Sequence, residues 1–314
     1  MIIVFLELPL GVTLLVAGAY FLVDGATAIA RRLRVGSLTI GLTIVAVGTA
    51  APELAVNSVA AVRGVPDIGV ANVIGSNIFN VLAVLGLASL VRHLSIRSTT
   101  VRYEIPMCVA GAALLLLFIR TGLLSRVHGA LLIALFVTFI VYTVISAAAN
   151  SPAAPSLGAA PHGFSVSRAL LYFVGGCIAV IVGGEWVVNA AVELAGKLGV
   201  SQRVVGLTVV AVGTSLPEAA TSVMAVLRGE TDLAVGNAVG SCIANLLLVL
   251  GVTAAISPVA ILPESLGDGL MFLGGSVLLL AFALLPSPGR IHRIEGLLML
   301  VAYTGYVWYT VVGG

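Results

Sequence analysis

The 314-residue chain contains the same sequence pattern twice. Residues 41–53 read GLTIVAVGTAAPE and residues 206–218 read GLTVVAVGTSLPE, so ten of 13 positions agree at an offset of 165 residues. The same offset aligns GVANVIGSNIFN at 69–80 with AVGNAVGSCIAN at 234–245. One constant offset over separate segments is typical of an internal duplication. We therefore predict two structurally equivalent halves.

Both copies lie in long apolar stretches. Sixty per cent of the residues are apolar, 9% are charged and the mean hydropathy is +1.19, whereas soluble domains carry roughly 25% charged residues. The stretches lack the period-2 alternation of barrel strands, and a helix needs roughly 20 apolar residues to cross a bilayer. We predict an all-α polytopic membrane protein that binds no nucleic acid. Its ten predicted spans are 3–30, 37–62, 68–91, 102–120, 127–148, 166–196, 202–227, 233–257, 268–286 and 293–312.

An odd number of spans in each half inverts the second half relative to the first. We predict a first five-helix repeat at 1–148, a linker at 149–164 that is rich in Pro, Ala, Gly and Ser, and an inverted five-helix repeat at 165–314. In transporters built this way, substrate binds near the midplane between the repeats. Ten Lys and Arg residues fall in the predicted loops of one side and five in those of the other. This bias predicts a multi-pass protein of the cell membrane with both termini outside.

Each repeat motif contains a signal for a broken helix. A Gly-Thr pair is followed by Pro52 in the first copy and by Pro217 in the second. Proline has no backbone N–H and is favoured in the first turn of a helix, so we predict breaks near Thr49 and Thr214. The carbonyls that such breaks would free to face a cation include those of Ala46 and Ala211.

The breaks put Glu53 and Glu218 in the first turn of a new helix, where the helix dipole favours a carboxylate. Both glutamates could serve only as helix caps. However, ionisable groups at membrane depth are costly and usually mark ion pathways, so we predict that this symmetric pair binds a cation. Asp24 and its repeat mate Asn189 are expected to serve packing rather than ligation.

The second aligned segment contributes a serine and an asparagine in each copy. Ser76 and Asn80, like Ser241 and Asn245, are four residues apart, which puts both side chains on one helix face. One such pair could serve only to form hydrogen bonds between neighbouring helices. Because the pair is duplicated together with the glutamate motif, we predict contact with ions.

Carboxylates, hydroxyls, amide oxygens and carbonyls are ligands for hard cations, and Ca2+ takes six to eight of them. Two carboxylates balance one divalent ion, two monovalent ions or two protons. Emptying the site would leave two uncompensated buried charges, so an exchanger is the natural function. We predict neither a cofactor, a catalytic residue nor an obligate protein partner. A channel would use the same oxygen ligands but needs a continuous pore, and an intramembrane enzyme is disfavoured because the chain has neither HExxH nor GxSxG.

These motifs resemble the G-T-x-x-P-E and G-S-x-x-x-N signatures of prokaryotic sodium/calcium exchangers, in the cation/calcium antiporter superfamily. The resemblance extends over the ten-span plan and implies alternating access by the sliding of a two-helix gate. It implies a Ca2+ site at Glu53, Glu218, Thr49 and Thr214. It implies flanking Na+ sites that draw on Ser76, Ser241, Ser215 and the carbonyls of Ala46 and Ala211, with Asn80 and Asn245 at the centre.

Two positions depart from the family pattern. Ala50 stands where the first repeat usually has serine, which removes a hydroxyl that Ser215 keeps in the second repeat. Asn245 stands where the potassium-dependent branch has aspartate, which speaks against K+ transport. Proton-coupled relatives typically have asparagine in place of Thr49 and Thr214. We therefore predict Ca2+/Na+ exchange, with Ca2+/H+ antiport by the same two glutamates as the alternative.

Overall fold

A computed structural model describes residues 2–64, 67–149, 165–197 and 211–313. Nearly all of these residues are helical, which confirms the predicted class. The helices, numbered in chain order, are α1 Ile2–Leu33, α2 Ser37–Thr49, α3 Ala51–Val62, α4 67–91, α5 Thr100–Thr121, α6 Arg126–Ala149, α7 Val166–Lys197, α8 Ala211–Thr214, α9 Leu216–Leu227, α10 Thr231–Ile256, α11 Ser265–Leu284 and α12 Arg293–Gly313.

Most of these helices are long and apolar enough to cross a membrane. Within the described residues eight helices qualify singly, and the bent pair α2 and α3 makes a ninth span. The predicted span 202–227 is described only from residue 211, as α8 and α9, and α9 is apolar but short. The predicted linker 149–164 lies outside the described residues except for Ala149, which ends α6.

Two short antiparallel sheets mark opposite ends of the helices. Strand β1 (Leu94–Ser95) pairs with β4 (Arg290–Ile291), and β2 (Leu123–Leu124) pairs with β3 (Val259–Ala260). Helix α5 runs between β1 and β2, and its 22 residues span roughly 33 Å, close to the thickness of a bilayer core. We therefore name the two sides of the molecule the β1–β4 face and the β2–β3 face.

Helices α1 and α7 pack against each other in opposite directions along a line of glycines. A methyl group on Gly11 would lie 2.9 Å from the Gly183 carbonyl oxygen, and one on Gly176 would lie 2.8 Å from that of Gly18. Only glycine permits this approach, which is the usual way for membrane helices to associate closely. The repeat offset relates Gly11 to Gly176 and Gly18 to Gly183.

Helices α4 and α10 form the centre of the protein. Their most apolar stretches are 83% and 78% buried, against at most 56% for the other spans that qualify singly. Both helices contain a π-helical turn, at Phe79–Val84 and Asn245–Val249, and such turns are frequent at functional sites. The predicted Ser-Asn pairs therefore lie on the two helices that are best shielded from lipid.

Candidate cation site

The predicted helix breaks are present in both halves. Ala50 has φ −78° and ψ 5° and Ser215 has φ −95° and ψ 7°, so each interrupts the helical path one residue after the predicted threonine. Helices α2 and α3 meet at an angle of 43°. Pro52 and Pro217 are the second residues of α3 and α9. A backbone N–H at this position has no partner within the helix, so its absence in proline costs no hydrogen bond.

Each break directs a glutamate into the protein interior. Glu53 and Glu218 lie in the first turns of α3 and α9, and both are completely buried. Oε1 of Glu53 accepts hydrogen bonds from Ser215 Oγ at 3.0 Å and from Ser76 Oγ at 3.4 Å. Within the described residues, Oε2 of Glu53 and both carboxylate oxygens of Glu218 accept none. Buried carboxylate oxygens without partners are costly, so this arrangement requires a cation or a proton.

The surroundings of the two glutamates differ by one hydroxyl. On the Glu218 side, Thr49 Oγ1 lies 3.4 Å from Ser241 Oγ, and both residues are completely buried. Ala50, which is also buried, stands where the second half has Ser215. Glu53 therefore has a donor that the repeat does not provide for Glu218.

The predicted asparagines also lie at this level of the protein. Asn80 and Asn245 are completely buried at the π-helical turns of α4 and α10. In the part of the chain that the structure describes, neither the oxygen nor the nitrogen of either amide has a hydrogen-bond partner. Buried amides usually make hydrogen bonds, so the two unpartnered amide oxygens are suited to contact a cation, whereas the NH2 groups can only donate.

The two predicted backbone carbonyls behave differently from each other. The Ala46 carbonyl is not freed by the break, because it accepts the N–H of Ala50 at 3.0 Å, and its second lone pair has Thr49 Oγ1 at 3.4 Å. In the second half the N–H of Ser215 donates to Val212 at 3.1 Å rather than to Ala211. Ala211 is the first described residue of α8. The expectation of a freed carbonyl is therefore wrong for Ala46.

A chain of hydrogen bonds that the sequence analysis missed holds Thr49. Its hydroxyl donates to Asn237 Oδ1 at 3.1 Å, Asn237 Nδ2 donates to Ser222 Oγ at 2.9 Å, and Ser222 Oγ donates to the Ala234 carbonyl at 3.4 Å. Asn237 Nδ2 also lies 3.2 Å from the Glu218 carbonyl oxygen. Because the amide oxygen takes the hydroxyl proton, the lone pairs of Thr49 Oγ1 remain available to a cation.

The other half repeats this chain. Thr214 Oγ1 donates to Asn72 Oδ1 at 3.3 Å, Asn72 Nδ2 donates to Asn57 Oδ1 at 2.9 Å, and Asn57 Nδ2 donates to the Gly69 carbonyl at 3.0 Å. Every member is the repeat mate of a member of the first chain. Asn72 and Asn237 are identical in the aligned segments, and this identity is the signal that could have revealed them.

Asp24 lies away from these groups, in line with the expected packing role. It is buried and forms an ion pair with Arg228, whose guanidinium lies 4.2 Å from the centre of the Tyr20 ring. Burial lowers the pKa of Arg228, but the hydrogen bond and charge of Asp24 raise it more, so the pKa lies above its ordinary value. The ion pair joins α1 to the end of α9.

Acidic groups are few at the site. Within the described ranges, no three His, Cys, Asp or Glu side chains converge where they could hold a metal ion. Among the predicted site residues that the structure describes, Glu53 and Glu218 are the two that carry a carboxylate.

Comparison with known proteins shows which family this chain is similar to. The profile of the family described as "Sodium/calcium exchanger protein" matches residues 3–145 and 168–312. CaxA of Alkalimonas amylolytica, which is described as a candidate antiporter, is 38% identical over 302 residues that cover 94% of this chain and 95% of CaxA. The sodium/calcium exchanger MaX1 of Methanosarcina acetivorans is 28% identical, over 96% of this chain and 97% of MaX1.

A solved structure has the same overall architecture. The sodium-calcium exchanger NCX_Mj, soaked with Na+ and Ca2+, superimposes with a TM-score of 0.84 at 29% sequence identity. The match covers 98% of each chain.

Proposed function

Because the chain belongs to the sodium/calcium exchanger family, we propose that it is a secondary-active antiporter that exchanges Ca2+ for Na+ by alternating access. The observation that carries this proposal is the pair of buried glutamates, three of whose four carboxylate oxygens have no partner among the described residues. The family consists of transporters, and we assign no catalytic residue and no cofactor.

Ca2+ would bind between Glu53 and Glu218, with Thr49 and Thr214 as neutral ligands. The two carboxylates balance the divalent charge, which a buried site requires. The two asparagine chains support the role of the threonines, because each threonine hydroxyl donates its proton away and keeps its lone pairs for the ion. Outer groups of this kind orient the ligands of many metal sites.

Na+ would use the same carboxylates together with flanking neutral oxygens. Two Na+ ions also balance two carboxylates, so the site can exchange its occupants but cannot be emptied without leaving buried charge. This coupling favours antiport over release of a single ion. The flanking ligands that we propose are Ser76, Ser241, Ser215, the Ala211 carbonyl and the remaining lone pair of the Ala46 carbonyl, with Asn80 and Asn245 at the centre.

We further propose ten spans in two inverted halves, 1–148 and 165–314, in the cell membrane with both termini outside. Two observations support the inversion. Leu94 in β1 and its repeat mate Val259 in β3 belong to sheets at opposite ends of α5. The repeat mates Asn77 and Cys242 contact each other reciprocally, through Asn77 Nδ2 to the Cys242 carbonyl at 3.4 Å and Cys242 Sγ to the Asn77 carbonyl at 3.8 Å.

Helices α1 and α7 are the candidates for the sliding gate. They pack on each other through the glycines described above and contribute none of the proposed ion ligands. Because these two helices pack closely on each other, they can move as one body against the six helices that carry the site, which are α2, α3, α4, α8, α9 and α10. Movement of this pair would open the glutamates to one face of the membrane at a time.

Ca2+/H+ antiport is the second candidate, and a specific observation favours it. Ala50 leaves Glu218 without the hydroxyl donor that Glu53 has in Ser215. A proton on Glu218 would satisfy that carboxyl without any added ligand. The same two glutamates would then carry two protons in exchange for one Ca2+.

Uptake of radiolabelled Ca2+ into proteoliposomes separates the candidates. The purified protein is given either an outward Na+ gradient at uniform pH or a pH gradient without Na+. We expect saturable uptake with the Na+ gradient and little with the pH gradient. Uptake that ignores Na+ and follows the pH gradient would replace our proposal by the second candidate. Uptake that needs no counter-ion would indicate a channel.

A further inference from the structure

A cavity of about 360 Å³ lies on the β1–β4 face, apart from the glutamate site. It is enclosed by the start of α2, the start of α5 and the end of α6, and no proposed ion ligand lines it. Its walls combine charged and hydroxyl side chains with apolar ones. Three helix ends that meet at one membrane face put the cavity at the level of lipid headgroups.

Two arginines line one side of the cavity. Arg97 donates from Nε to Asp232 at 2.6 Å, so its charge is already balanced, while its terminal nitrogens face the backbone at Gly36. Arg102 is exposed at the opening. Guanidinium groups in this position are suited to phosphate oxygens.

The other side of the cavity presents two buried polar groups. Glu104 and Thr143 line it, and each is only 7% exposed. Oε2 of Glu104 and Oγ1 of Thr143 have no hydrogen-bond partner within the described residues. A buried carboxylate oxygen and a buried hydroxyl on two residues that line one cavity favour a ligand that donates hydrogen bonds.

The opening of the cavity has the character of a membrane interface. Tyr103 and Tyr142 line it, stack edge to face at 6.2 Å and are about half exposed. Tyrosines are enriched at the headgroup level of membrane proteins. On α6, next to the opening, Val141 and Ile145 are exposed and offer an apolar surface to acyl chains.

We propose that this cavity binds a phospholipid whose headgroup carries a phosphate and a primary ammonium, such as phosphatidylethanolamine. The phosphate lies against Arg102 and the terminal nitrogens of Arg97, and the ammonium donates to Glu104 and Thr143. After Asp232 offsets Arg97, the remaining charges are one positive and one negative, which matches a zwitterion. An anionic headgroup would leave the Glu104 carboxylate without a counter-charge, and a choline headgroup has no N–H to donate.

Lipid retention by the purified protein tests this site. The protein in detergent is equilibrated with phosphatidylethanolamine, phosphatidylcholine or phosphatidylglycerol, and bound lipid is counted by native mass spectrometry. We expect one phosphatidylethanolamine to bind about tenfold more tightly than either competitor, the value of one charge-assisted hydrogen bond. Glu104→Gln and Arg102→Gln should each abolish this preference. The exposed residues Glu264 and Arg120 provide matched controls, and Glu264→Gln and Arg120→Gln should leave it intact.

Several results would overturn the proposal. A preference for phosphatidylglycerol that survives Glu104→Gln would indicate an anion site, and equal retention of all three lipids would indicate no headgroup recognition. Full competition by soluble glycerophosphoethanolamine would mean that the ligand is a free metabolite rather than a lipid. If Glu104→Gln fails to fold, Thr143→Val decides, because it removes only an unpartnered hydroxyl and should still weaken the preference.

Discussion

Ser215 and Ala50 allow a direct test of how the counter-ion is bound. Ser215 Oγ donates to Glu53 Oε1 at 3.0 Å in a completely buried position, and the other donor to that oxygen, Ser76, is distant at 3.4 Å. A hydrogen bond to a charged group contributes about 1.5–3 kcal/mol. If Ser215→Ala loses this contribution in the Na+-loaded state, Na+ binding weakens by roughly 10- to 150-fold.

The complementary change is Ala50→Ser, which gives Glu218 the hydroxyl that the first repeat lacks. We expect it to strengthen Na+ binding by a smaller factor, about threefold, because the buried Ala50 site must also make room for an oxygen. The effects on Ca2+ affinity should be smaller in both variants, since neither position belongs to the proposed Ca2+ ligands.

The assay is uptake of radiolabelled Ca2+ into proteoliposomes at graded internal Na+ and constant pH. The concentration of Na+ that gives half-maximal uptake should rise in Ser215→Ala and fall in Ala50→Ser. Ser287→Ala, in the loop of the β1–β4 face, serves as the control and should match the unmodified protein. An unchanged Na+ dependence in Ser215→Ala, with a shifted pH dependence instead, would refute the reasoning and favour proton coupling.

Three further predictions concern residues around the site. Asn237→Leu removes the acceptor that orients Thr49 and should raise the half-saturating Ca2+ concentration by about 10- to 100-fold, with Na+ dependence as the internal comparison. Arg228→Gln leaves Asp24 buried without a counter-charge and should cost about 3 kcal/mol, seen as a lower melting temperature that Asp24→Asn restores in the double variant. Gly18→Leu forces α1 from α7 and should stop transport while purified protein still binds Ca2+; continued transport would contradict the gate assignment.

The parts of the fold that the sequence predicted depend on repetition and hydropathy. The breaks at Ala50 and Ser215 follow from a Gly-Thr pair before a proline, and two copies distinguish this signal from chance. The shared positions of Glu53 and Glu218 followed from the same alignment. The seventh predicted span is described only in part, so the number of ten spans remains a prediction.

What the sequence did not predict depends on contacts between the halves. Asn237 belongs to α10 and orients a threonine of α2, and Asn72 of α4 does the same for a threonine of α8. An asparagine in an apolar helix indicates a polar contact, but the partner is known only once the helices are packed. The Ala46 carbonyl differs from the prediction because the helix keeps its last hydrogen bond, from Ala50 N–H to Ala46, before the break.

The cavity near Glu104 could not be predicted from the sequence either. Arg97, Glu104 and Thr143 lie before α5, within α5 and within α6, and Glu104 has no acidic repeat mate. Nothing in their spacing suggests that they line one space. Alignment of the two repeats reveals only features that occur in both halves, and this cavity occurs in one.

Equilibrium binding of radiolabelled Ca2+ to the purified protein tests the central claim most directly. We expect one saturable site in the unmodified protein and in the exposed control Glu264→Gln. Glu53→Gln and Glu218→Gln should each weaken binding by more than about 100-fold, because each leaves a buried divalent ion with one counter-charge. Helical content measured by circular dichroism should not change, since the amide keeps the shape of the side chain. Ca2+ binding of unaltered affinity in either folded glutamine variant would contradict the assignment of the two glutamates.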